Sequence, residues 1–101
     1  MKKYLLVVYG PSADNEQDRA AGMALMAQWY GALGSALVDP GAPFTAARTV
    51  SAGGVGDAIG PHATGFNVVQ AESLEAAIGL AEKCPLLEHG RQVTVFETLP
   101  T

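Results

Sequence analysis

The sequence is poor in the residues that most often announce a chemistry. It has one cysteine, Cys84, and two histidines, His62 and His89. A lone cysteine cannot close an internal disulfide, so the fold is expected to stand without an oxidising compartment. Two separated histidines with no cysteine or carboxylate at ligand spacing make no zinc motif, and neither a metal nor a cofactor is expected. Positive charge is scarce as well: six Lys and Arg stand against ten Asp and Glu, a formal net charge of −4. Only Lys2 and Lys3 sit together, and a phosphate-binding face needs several cations in one place. Nucleic acid is therefore excluded as a partner.

Long bulky apolar runs are missing too. Leu5 to Val8 ends at Tyr9-Gly10-Pro11, too soon for a secretory signal, so a cytoplasmic location is expected. The stretch from Ala20 to Val38 carries no charge and approaches the length of a spanning helix. It is built largely of alanine, interrupted by Gly22, Gly31 and Gly34, and carries Gln28 and Ser35. A lipid-facing helix has bulk all round, so no membrane association is expected. Phosphate loops are absent in the same sense. Gly53, Gly54, Gly56 and Gly60 fail in spacing, lack the Lys-Ser/Thr pair and lead into a strand.

What the chain does have is apolar content. Hydrophobic residues make up 49% of 101 positions and charged residues 16%, enough for one domain with a real core and too much for a disordered chain. A domain this small buries a modest fraction of its surface. The apolar excess points to surface buried against a partner.

The order of elements sharpens that point. Lys3–Tyr9 is a continuously apolar strand ended by Gly10-Pro11. The acidic segment Ser12–Asp18 opens a helix, expected over about Asn15 to Val38. Its apolar stripe is Met23, Met26, Tyr30, Leu33 and Leu37, with Trp29 at the margin. The opposite side, with Ala20, Ala24, Gln28, Gly31 and Ser35, is small rather than charged, either a plain alanine-rich surface or a face for a close neighbour. Asp39-Pro40-Gly41 and Pro43 are expected to stop the helix and turn the chain. A weaker strand follows at about Phe44–Ser51, then a flexible glycine-rich connection over Ala52–Pro61.

Thr64–Glu72 is the third strand. Ser73 caps a second helix carrying Leu74, Ala77, Ile78 and Ala81, stopped by Pro85. Gln92–Glu97 is the last strand. This βαββαβ order predicts a ferredoxin-like α+β domain with a four-stranded antiparallel sheet. Two helices cover only one face of such a sheet, and the first strand has apolar residues pointing both ways. A second copy packed face to face is the economical cover, so a homodimer is expected.

Several segments together resemble the YCII-related proteins. They are Lys3-Tyr4-Leu5-Leu6-Val7-Val8-Tyr9-Gly10, Trp29 to Leu37 with the following Val38-Asp39-Pro40-Gly41, Thr64-Gly65-Phe66, Ala71-Glu72-Ser73-Leu74-Glu75-Ala76-Ala77, Cys84-Pro85-Leu86 and Val93-Thr94-Val95. The resemblance implies a dimeric α/β barrel of two ferredoxin-like subunits, with a pocket between sheet and helices. Some members carry a His in the first helix and an Asp nearby, proposed as a catalytic dyad. The first helix here has no His, and no carboxylate after Asp18. Many members also carry Asp-Gly-Pro-Phe before the third strand, where this chain has Gly60-Pro61-His62.

Candidate functional residues are few. Asp39, where helix hands over to strand, can serve as a base or hold a cation, and Asp-Pro-Gly is also ordinary turn chemistry. His62 lies in a loop of the kind that donates functional groups, though an exposed His in a loop is common. Arg48 can clamp a carboxylate ligand or pair with Asp39 or Asp57. Trp29 and Tyr30 suit either an aromatic pocket wall or the core. The expected function is a small dimeric protein binding a small organic ligand through Trp29, Tyr30 and Arg48. The alternatives are an isomerase- or lyase-type enzyme using Asp39 or His62, and a non-catalytic interaction module.

Overall fold

The computed structural model describes residues 1–13 and 15–100. Its elements are β1 (Lys2–Tyr9), α1 (Glu16–Leu33), β2 (Leu37–Pro43), β3 (Arg48–Ser51), β4 (Gly54–Asp57), β5 (Ala63–Ala71), α2 (Leu74–Ala81) and β6 (Gln92–Glu97), with short 3-10 turns at Gly34–Ala36 and Pro85–His89. Four strands form one antiparallel sheet in the order β2-β5-β1-β6, and β3 and β4 form a separate two-stranded ribbon. The architecture is α+β and compatible with a ferredoxin-like fold. Both helices lie against one side of the sheet, as right-handed crossovers between non-adjacent parallel strands require.

Register decides what each face of the sheet carries. Tyr4, Leu6 and Val8 of β1 oppose Val69, Asn67 and Gly65 of β5, and all six are buried under the helices. The intervening Leu5 and Val7 oppose Val68 and Phe66 of β5 and Phe96 and Thr94 of β6. These point to the other face, which none of the described elements covers. Each helix starts on a side-chain cap that satisfies an otherwise unpaired amide. Asn15 accepts from the Asp18 amide at 2.8 Å and Ser73 from the Ala76 amide at 3.1 Å.

The core lies between sheet and helices. Tyr4, Leu6, Val69, Ala71, Ala77, Ala81 and Cys84 form it together with Trp29 and Leu33 of α1. Trp29, expected at the margin of the helix stripe, is its aromatic centre: 4% exposed, with the indole Nε1–H donating to the Leu80 carbonyl at 3.2 Å. That bond ties α1 to the last turn of α2. Met23, expected inside the stripe, is instead 57% exposed.

The expectations about the chain after α1 are corrected. The helix ends at Leu33, where Gly34 takes a positive φ and returns its amide to the Tyr30 carbonyl, so Val38 belongs to a strand. Asp39-Pro40-Gly41 does not turn the chain. It lies inside β2, an edge strand with irregular register on either side of Asp39, a place where proline is tolerated because no outer partner needs its amide. β2 thereby takes the place in the sheet of the strand expected at Phe44–Ser51, of which only Arg48–Ser51 is extended and pairs in the ribbon. Gly41 has φ +67° and sits so close to Phe66 that an added Cβ would lie 1.9 Å from the Phe66 carbonyl oxygen. Only glycine fits there. The glycine-rich segment beyond is likewise no loose connection, because Val50 pairs with Val55 and Arg48 with Asp57 in an ordered ribbon.

Candidate functional site

Asn67 stands out on the inner face of the sheet. Placed in the middle of β5 by its register with Leu6, it is 0% exposed, and neither its amide nitrogen nor its amide oxygen has a hydrogen-bond partner. A buried carboxamide left unpaired costs roughly 1–3 kcal/mol, and such groups in folded proteins nearly always meet a protein group, a water or a ligand. Nothing in the sequence marked this residue, because the run Phe66-Asn67-Val68-Val69 has no clean alternation from which to read its direction.

Two further polar groups lie near it. The Tyr30 hydroxyl donates to the Pro40 carbonyl at 3.1 Å, so the bulged strand β2 and helix α1 are joined above Asn67. Burial pushes the Tyr30 phenol above its usual range, and the Asn67 side chain, close enough to act on the phenol as a hydrogen-bond donor though short of the geometry of a formed bond, offsets part of that rise. Cys84, 2% exposed in the core, feeds the same electrostatic environment. Its thiol is raised by burial, against the pull of the Leu86 and Leu87 amides and Arg91. Tyr30 and Cys84 are therefore both neutral at pH 7. The cluster offers hydrogen bonds and no charge, which suits a neutral hydroxyl, amide or carbonyl group and supplies no general base.

The residues singled out from the sequence are dispersed. Trp29 is committed to the core. Tyr30 adjoins it, with ring centroids 5.7 Å apart, and is the one expected ligand residue that meets the Asn67 cluster. Arg48 lies on the exposed ribbon, its Nε–H donating to the Gly56 carbonyl at 3.1 Å. It forms no ion pair with Asp39 or Asp57, and the ion pair found among the described residues is Lys2–Glu97 at 3.7 Å. Asp39 is exposed and its carboxylate accepts from the Gly41 amide at 2.8 Å, which fixes the backbone of the bulge.

His62 is exposed, with Nε2 2.7 Å from the Ser12 hydroxyl, while its carbonyl accepts from the Gly10 amide. Among the described residues no carboxylate bonds the other ring nitrogen to orient the imidazole of this Ser–His pair, as a nucleophilic triad needs. Two recesses in the surface lie elsewhere, one at Lys2, Lys3, Glu72 and Leu99 and one between α2 and β6. Neither includes Asp39, His62, Trp29, Tyr30 or Arg48. Among the described residues no group of three His, Cys, Asp or Glu is placed to hold a metal, and no helix is long and apolar enough to cross a membrane.

The open face of the sheet is the second notable surface. Leu5, Val7 and Tyr9 of β1, Phe66 and Val68 of β5 and Phe96 of β6 all lie there, the last 45% exposed. Phe44 extends this surface by stacking on Phe66, with ring centroids 5.8 Å apart. Apolar side chains gathered on an open sheet face form the kind of patch that interaction surfaces use.

No family model, curated protein or solved structure matches this chain.

Proposed function

We propose that this chain is a YCII-like protein that works as a homodimer and binds a small, neutral, hydrogen-bonding organic molecule between sheet and helices. The observation that carries the ligand reading is Asn67, a fully buried carboxamide with both polar atoms unpartnered, beside the Tyr30 hydroxyl. A ligand hydroxyl, amide or carbonyl that met Asn67 would recover the desolvation already spent there. Binding is favoured over acid–base turnover because Tyr30 and Cys84 are both held neutral. The catalytic reading through Asp39 or His62 has the exposed Ser12–His62 contact as its support. Asp39 is already engaged by the Gly41 amide.

The dimer reading rests on the open face. The second copy is the favoured cover because a self-complementary apolar sheet closes two-fold with nothing further to match. Pro40 and Pro43 in β2 leave that edge without the amides another strand would need, which turns assembly from the edge to the face.

The ligand reading is tested by thermal shift with a panel of small neutral amides, alcohols and carbonyl compounds, using wild type and Asn67→Leu. The expected result is a compound that raises the melting temperature of wild type and leaves the variant unmoved. If no compound moves wild type, and a solved structure shows one resident water bonded to Asn67, the amide has a structural role and the ligand reading falls.

A further inference from the structure

The ribbon β3–β4 is ordered, and none of the described elements packs on it. Residues 44–62 are exposed throughout except Thr49, with Val50 74%, Val55 62% and Ile59 81% exposed. It is held by its own hydrogen bonds: Arg48 to the Gly56 carbonyl at 3.1 Å, the Ile59 amide to the Thr49 hydroxyl at 3.0 Å, and the ladder from Arg48–Asp57 to Ser51–Gly54. A two-stranded ribbon alone in water is marginal, and this one also displays an apolar cross-strand pair, Val50 opposite Val55. The other side of the ribbon carries Thr49, Ser51, Gly54 and Gly56, and a Cβ added at either glycine would meet nothing within 4 Å. One side thus carries the valine pair with Arg48 and Asp57 beside it, and the other is nearly bare.

We propose that this ribbon is an arm that clasps a second copy of the same chain, an inference that rests on the face-to-face dimer proposed above. Shape is the first support. The chain measures 39 × 38 × 18 Å, so the arm runs out in the plane of the two layers and does not fold back over its own open face. Its radius of gyration is 14.4 Å, against about 13 Å for a compact chain of this length. A partner stacked on the open face lies beside the base of the arm.

Area is the second support. Four strands at about 4.8 Å spacing and some six residues at about 3.3 Å give an open face of roughly 400 Å² in projection. A stable dimer buries about 800 Å² on each partner. An arm of two four-residue strands adds roughly 130 Å² given and, by two-fold symmetry, as much received, which removes most of the shortfall.

Continuity is the third. Phe44, at the root of the arm, stacks on Phe66 of the open face, so the apolar surface of the sheet reaches the base of the arm. Arg48 and Asp57 flank the valine pair with opposite charges, and two copies can meet there without a like-charge clash.

The test is the dissociation constant, by sedimentation velocity, of wild type and of the double variant Val50→Asp/Val55→Asp. Both valines are exposed in the single chain, so the variant is expected to keep its circular dichroism spectrum. Hydrogen exchange of the amides of residues 49–56 provides a readout in unmodified protein. The expected result is a dimeric wild type, a dissociation constant raised at least about 100-fold in the variant, and arm amides that gain protection as concentration rises. A dimeric wild type with an unchanged constant in the variant, or with arm amides exchanging freely in the dimer, overturns the arm and leaves the sheet-face dimer standing. A wild type that stays monomeric at all concentrations overturns both.

Discussion

Replacing Asn67 by Leu exchanges a buried, unpartnered carboxamide for two methyl groups on the same branched skeleton. In the unliganded protein the carboxamide has no hydrogen-bond partner, and folding therefore carries a desolvation cost of about 1–3 kcal/mol. Leucine removes that cost and adds apolar burial against Leu6 and Val69. Its methyls are bulkier than the amide atoms, and overpacking in a closed core returns about 1–3 kcal/mol in the worst case. The balance expected is a gain of about 1 kcal/mol, which for a domain of this size is a rise of roughly 4–8 °C in melting temperature. Urea denaturation of ligand-free protein, at a fixed chain concentration, is the assay. Asn67→Ala separates the two contributions, since it removes the amide and leaves a void without adding bulk. A loss of more than about 1 kcal/mol in Asn67→Leu, with Asn67→Ala no better, would show that the amide is satisfied in the resting fold. Asn67 would then be no ligand anchor.

Other consequences follow from particular positions. Gly41→Ala must force an added Cβ away from the Phe66 carbonyl at a φ of +67°, and a loss of at least about 2 kcal/mol is expected; a loss below about 0.5 kcal/mol in the same denaturation assay would mean that β2 is not locked on β5 as described. The buried Cys84 thiol is raised above 9.0, so the folded state favours its protonated form. Its stabilising contribution is complete below pH 9 and is lost as pH rises through the folded-state value. Cys84→Ala is expected to flatten the fall in stability that begins above pH 9, leaving the later fall from Tyr4 and Tyr30, both raised above 10.0; an unchanged slope contradicts this. In native wild type at pH 8 the thiol should resist a disulfide exchange reagent that modifies it at once after denaturation, and rapid modification of folded protein would contradict its burial.

The legible part of the fold was the part governed by local chemistry. Ser73 caps α2 as its position before Leu74 indicates, and β6 occupies Gln92–Glu97 because its alternating β-branched residues allow little else. The first, third and last strands of the sheet follow from the same signals, whereas its second strand is Leu37–Pro43 and not the expected Phe44–Ser51. The face of α1 was hard to read because alanine dominates it, so Met23 and Trp29 compete for the core on size alone, and the indole wins through its bond to Leu80. Asp39-Pro40-Gly41 has the composition of a turn, and tertiary pairing with β5 overrides that preference by making it a bulged edge. Glycines 53, 54 and 56 suggested a loose loop, whereas cross-strand pairing of Val50 with Val55 orders the segment. Of the residues put forward for a site, Tyr30 alone meets the Asn67 cluster. Asn67 itself was invisible, since a polar residue in a strand is ordinarily taken to face water, and only the register with Leu6 turns it inward.

The function proposed for the chain turns on whether a second copy covers the open sheet face. Light scattering across a wide concentration range measures this directly, with Val7→Asp as the partner measurement because Val7 lies at the centre of that face. The expected result is a mass twice the 10.4 kDa of one chain for wild type, falling to the single-chain mass in Val7→Asp with helix and strand content preserved. A wild type that holds the single-chain mass at every concentration would contradict it.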